Sequence, residues 1–163
     1  MVNFKSFYGI VTQISDSMIG QDSQGEGCYK LITVENESGA VANFLVSPTT
    51  YFVEQAIVAV GDWVVGYYDA NAPIPYIYPP QYQALVIVKV SPYQNVKVDY
   101  FNNQLVSSDG LLKLNLSPYT PIILINGQPF SGNPGNRNLI VLFGPVTKSI
   151  PAQTTPHKII VWC

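Results

Sequence analysis

A chain of 163 residues holds one ordinary domain or two small ones, and 47% of this one is apolar. Charged residues make up only 11%, against ~25% in a typical soluble domain, so Asn, Gln, Ser, Thr and Tyr must supply the polar surface. A net charge of −2 offers no field for phosphates, which counts against nucleic-acid binding. The longest apolar run, around residues 84–90, is strand-length and far below the ~18 residues of a membrane helix.

The first residues, MVNFKSFYGIV, carry one Lys and no apolar core with a small-residue cleavage site, so no Sec-type signal peptide is expected. Residues 7–14 (FYGIVTQI) read as a first strand, with Gly9 marking a bend. Residues 15–27 are polar and Gly-rich, a loop or hairpin tip. Strands follow at 29–34 and 42–46, joined by a turn over 35–39. Ser47-Pro48-Thr49-Thr50 breaks the pattern, and one or two helical turns are expected around residues 54–59. Gly61-Asp62 feeds a strand beginning at Trp63. An arm over 69–83 follows, with Pro73, Pro75, Pro79 and Pro80 removing backbone donors and favouring extended geometry. Residues 84–90 close the first half.

The second half opens with an alternating strand over 96–101 and a turn at Ser108-Asp109-Gly110. A strand over 111–116 then meets Ser117-Pro118-Tyr119-Thr120. Residues 122–125 run into Asn126-Gly127, a strong hairpin signal because both residues tolerate positive φ. Residues 131–136 are irregular, and strands at 139–143 and 158–162 end the chain.

The halves echo one another. Residues 46–50 (VSPTT) align with 116–120 (LSPYT), and 77–88 (IYPPQYQALVIV) align with 150–161 (IPAQTTPHKIIV), both without a gap. Between them, Trp63-Val64-Val65 falls on Leu139-Ile140-Val141. Short strands with one inward face bury a core by curling until their edges meet. The expected fold is therefore all-β: two tandem OB-like small barrels related by internal duplication. The first spans 1–92 and includes the Tyr/Pro-rich arm (69–83); the second spans 93–163.

The first half, through Gly9-Ile10-Val11 and Val60-Gly61-Asp62-Trp63-Val64, resembles a loosely defined group of bacterial OB-like small β-barrel domains. That resemblance implies a barrel and no activity, and it assigns no functional residue.

Chemistry is sparse. His157 is the single histidine, no Gly-x-Ser-x-Gly elbow is present, and the carboxylate pairs Glu35/Glu37 and Asp62/Asp69 look like solvated turn residues. Cys28 and Cys163 have no CxxC partner, which excludes a structural zinc site; no cofactor or metal and no enzyme activity are expected. Pro79-Pro80-Gln81-Tyr82 spells a short PPxY motif, and sequons stand at Asn36 and Asn115. Tyr67, Tyr68, Tyr76, Tyr78 and Tyr82 mark a ligand or assembly surface, since aromatic rings stack on sugars and bases alike. The expectation is a noncatalytic, self-assembling structural protein, a filament, spore or cell-surface subunit without a Sec signal. Its copies would be locked by intersubunit disulfides at Cys28 and Cys163. The alternative is a glycan-binding module whose partner is a polysaccharide.

Overall fold

The computed structural model describes residues 2–17 and 27–163; most of the polar loop expected at 15–27 lies outside the described residues. The chain is all β and divides into two compact units, Met1–Val90 and Ser91–Cys163.

The first unit contains β1 (Phe4–Asp16), β2 (Lys30–Glu35), β3 (Val41–Val46), β4 (Tyr51–Phe52), β5 (Trp63–Asp69), β6 (Gln81–Gln83) and β7 (Val86–Lys89). They form one sheet in the order β4-β7-β5-β1-β2-β3-β6. The long β1 serves two neighbours. Its Phe4–Ile10 half pairs with β5, and its Ile10–Asp16 half pairs with β2, with a bulge between Val11 and Gln13. Gly9 makes this handover possible: a Cβ there would lie 2.4 Å from the Glu35 carbonyl oxygen, so no other residue allows β2 to come so close.

At the other side, residues 81–89 bond in two directions. The Ala84 N–H donates to the Leu45 carbonyl of β3 (3.0 Å), and the next N–H, of Leu85, donates to the Tyr67 carbonyl of β5 (2.9 Å). One extended stretch thus meets β3 through β6 and β5 through β7.

The second unit contains β8 (Asn95–Phe101), β9 (Leu112–Leu114), β10 (Ile122–Leu124), β11 (Arg137–Phe143), β12 (Ala152–Thr154) and β13 (Lys158–Val161). Its sheets run β10-β13-β11-β8 and β12-β9. Each ladder of the first unit has a counterpart here. The parallel β4/β7 and β3/β6 pairs match β10/β13 and β9/β12, and the antiparallel β5/β7 and β1/β5 pairs match β11/β13 and β11/β8. β2 is reduced to two bridges, Phe101↔Ser107 and Val106↔Lys113. The Ser-Pro breaks fold alike. Ser47 N–H donates to Thr50 Oγ1 (3.0 Å) and Ser117 N–H to Thr120 Oγ1 (3.2 Å), while Thr50 and Thr120 each return an N–H to the serine carbonyl (3.1 Å).

Three expectations are corrected. In the ladders Phe52 pairs with Ile87 as Ile122 pairs with Ile159, which sets position 87 against 159, where the sequence echo sets it against 160. Likewise Val64-Val65-Gly66, not Trp63-Val64-Val65, faces the last strand as Leu139-Ile140-Val141 does. The helical turns at 54–59 are a single 3-10 turn, Val53–Gln55, in which Glu54 and Gln55 take left-handed φ values of 58° and 53°. The arm ends sooner than 83, because its last three residues pair as β6.

Each unit has its own core. In the first, Phe44 is fully buried among Val11, Val34, Val64 and Ile87. Its ring occupies the place of a side chain at Gly66, where an added Cβ would lie 2.5 Å from the ring. In the second, Leu114 holds the ladder position of Phe44 and Val141 that of Gly66, and both are buried.

Candidate functional site

The arm between β5 and β6 is held at both roots and bare between them. Asp69 Oδ1 accepts the N–H groups of Asn3 (3.1 Å) and Asn71 (2.9 Å), and these two bonds hold its carboxyl below the usual range. Ala70 N–H donates to the Asn3 carbonyl (2.8 Å), and at the far root the Pro80 carbonyl accepts the Asn43 N–H (2.9 Å). Between the roots the prolines leave little backbone to pair, and the side chains face outward. Tyr76 is 107% exposed and Tyr78 80%, with Ile74 and Ile77 also exposed.

The five tyrosines singled out from sequence therefore do not form one surface. Tyr68 and Tyr82 stack on each other (centroids 3.8 Å, planes 11° apart) and lie tilted against Phe44 at 6.4 and 5.8 Å. Burial, then the hydrogen bond to Tyr82, pushes the Tyr68 hydroxyl up to about 12. Tyr67 stands half-buried on the opposite side of β5. Only Tyr76 and Tyr78 face solvent. The strand period carried this signal: Val64, Gly66 and Tyr68 share one face of β5, and the first two are core. Tyr82 is also the tyrosine of the PPxY stretch, so its packing and the β6 pairing withdraw that motif in the folded unit.

A feature missed in the sequence lies at the other end of β5. An apolar cavity of about 250 Å3 is lined by Ile14, Lys30, Ile32, Val46, Phe52, Ala56 and Val58. The left-handed turn at Glu54 and Gln55 directs the strap before β5 so that Ala56 and Val58 line the cavity while Ile57 is 86% exposed. Asp62 holds the strap, accepting the Ala59 N–H (2.8 Å) and facing Lys89 Nζ (3.4 Å). The Ala59 bond, helped by Lys89, keeps its carboxyl below the usual range. Lys30, at the cavity, is ion-paired with Asp16.

In the second unit an open cleft of about 460 Å3 is lined by Asn115, Pro145, Val146, Thr147, Gln153, Thr154 and Thr155. Asn115 donates to Gln153 (3.1 Å), and the buried Thr154 hydroxyl to the Pro145 carbonyl (2.9 Å). Its polar lining is neutral throughout.

The remaining candidates are scattered. Cys28 and Cys163 are exposed thiols in no disulfide, one in each unit. His157 is exposed, Asp62 and Asp69 bracket β5 rather than pair, and Asn36 caps the turn between β2 and β3 through bonds from Ser38 and Ala40. Among the described residues no group of three or more His, Cys, Asp and Glu comes together. No protein-family model matches the chain, and no curated protein matches it significantly.

Proposed function

We propose that the chain is a noncatalytic, self-assembling structural subunit built from two OB-like barrels that arose by duplication. The barrel reading rests on the stretch 81–89. Its bonds to β3 and β5 support a circuit β1-β2-β3-(β6/β7)-β5-β1 in the first unit, drawn around the core of Val11, Val34, Phe44, Val64 and Ile87. The duplication reading rests on the matching ladders and Ser-Pro breaks of the two units.

The observation that carries self-assembly is the arm. Ile74, Tyr76, Ile77 and Tyr78 are exposed consecutively on a segment fixed at both roots, in a chain with few charges to keep copies apart. Contiguous exposed apolar side chains mark contact surfaces. The test is light scattering with negative-stain microscopy on the purified protein, with and without reductant. Ordered particles far larger than one chain support the reading. Their loosening in Cys163→Ser, or in Cys28→Ser, would add intersubunit disulfides to it. A monodisperse monomer in both conditions ends it.

A second reading, glycan binding, is favoured by the cleft of the second unit. Its amides and hydroxyls suit neutral sugar hydroxyls better than the half-buried tyrosines of β5 and β6 do. Retention on a polysaccharide column, lost in Gln153→Ala, would support it. Passage straight through a panel of such columns would remove it.

A further inference from the structure

The geometry points to a specific contact between copies: Tyr76 on the arm of one copy inserts into the apolar cavity beside β2 of the next, and repetition of this contact builds an open chain. The inference rests on the self-assembly reading and names its surface.

Three observations meet here. The first is position. β5 runs from the cavity to the arm: the strap that lines the cavity precedes Trp63, and the arm begins after Asp69. β5 itself spans about 20 Å, six steps at ~3.3 Å, from the end of the strap at Trp63 to the start of the arm at Asp69. β7 repeats the arrangement, with the arm before β6 and Ile87 paired to the cavity-lining Phe52. The arm is tethered at both roots, and Tyr76 touches nothing of its own unit closely enough to lose exposure. A patch at one end that fits a pocket at the other makes a heterologous contact, which generates filaments unless its rotation closes a ring.

The second is size. At about 250 Å3 the cavity lies below the ~300 Å3 where small-molecule sites begin, which suits one large side chain. An aromatic residue offers ~150–250 Å2. Tyr78, Ile74 and Ile77 on the arm, and the exposed Ile57 beside the cavity, extend the apolar contact around the inserted ring. The third is chemistry. The cavity walls are apolar, and its one charged lining residue, Lys30, is paired with Asp16, which offers an arriving phenol a polar partner for its hydroxyl. The second unit supplies a contrast: there Phe130, whose N–H bonds the carbonyl of Ile122 in the ladder position of Phe52, covers the core from its own chain.

The test is a complementation of two variants, each checked for an unchanged fold by circular dichroism and melting. Tyr76→Ser with Tyr78→Ser disables the arm on exposed positions and keeps the cavity. Ala56→Phe fills the cavity and keeps the arm; Val58→Phe is its replacement if Ala56→Phe does not fold. Each variant alone is expected to stay monomeric where the wild type polymerises. A 1:1 mixture is expected to give dimers that grow no further, because only one productive contact can form. A synthetic peptide of residues 70–80 should shorten wild-type polymers. Variants that polymerise like wild type, or a mixture that stays monomeric while wild type assembles, would overturn this contact and leave self-assembly standing. A wild type that never assembles would overturn both.

Discussion

The two units build one set of ladders with different interiors. In the first, Phe44 spreads over Gly66 and carries the stacked Tyr68 and Tyr82. In the second, Leu114 and Val141 divide the same space between two aliphatic side chains. The volume is shifted from one strand to the strand facing it, and the backbone pairing is unchanged. Hydrogen-bond register thus fixes the architecture, while the core needs only a matched total volume. The exteriors diverge further. The first unit has a long arm and an open cavity; the second has the hairpin through Phe130 and only a short connection between β11 and β12.

The comparison breaks most sharply at the core. Phe44→Ala should destabilise the first unit by ~3–5 kcal/mol, since it empties the largest buried site, whereas Leu114→Ala should cost the second ~2–5 kcal/mol. Separate melting transitions for the units, each moved by its own variant, would show that the two cores are independent; one transition shifted equally by both would tie them together. Gly66→Val should cost ~1–3 kcal/mol or more by crowding the Phe44 ring. Adding Phe44→Leu, the arrangement of the second unit, should recover part of that loss. A double variant less stable than the sum of the two singles would refute the idea of exchanged volume.

Phe130→Ala should cost about 2 kcal/mol and open in the second unit a cavity like that of the first, read as new binding of an apolar dye. Arg137→Gln, which removes the guanidinium 4.8 Å above the Phe130 ring, should cost only ~0.5–1 kcal/mol at this exposed site. The smallest effect is that of pH. Asp62 and Asp69 titrate below the ordinary range when folded, so their contribution is complete above the unfolded value of ~3.9 and fades as pH falls through the folded values. Asp109 behaves likewise in the second unit: burial opposes its ionisation, but Lys97, Ser107 and the Leu111 N–H outweigh it. Melting temperature should therefore drop below about pH 4, and Asp62→Asn with Asp69→Asn should flatten the drop. A drop of unchanged depth would place the sensitivity elsewhere.

Much of this architecture was legible in the sequence. Alternating segments such as VKVDYF, the Ser-Pro-x-Thr breaks and Asn126-Gly127 sit on local rules of side-chain period and turn conformation. β6 and β12 were not legible. They are three residues long and follow prolines, and their parallel pairing to β3 and β9 depends on segments far away in the chain. Nor does the sequence set the register of the echo, since apolar runs such as ALVIV and KIIV slide past each other without a ladder to fix them. The tyrosines were grouped by proximity in sequence, although the period of β5 already turned Tyr68 inward. The cavity depends on the left-handed Glu54 and Gln55, two residues that rarely adopt that conformation, and no composition signal marks it.

The central claim is open-ended assembly through the first unit, and sedimentation velocity of the wild-type protein over a hundredfold concentration range tests it most directly. A continuous series of species whose mean size keeps rising with concentration is expected, with a collapse to monomer in the Tyr76→Ser, Tyr78→Ser variant. A single sedimenting species of fixed size at every concentration, unaffected by those substitutions, would contradict it.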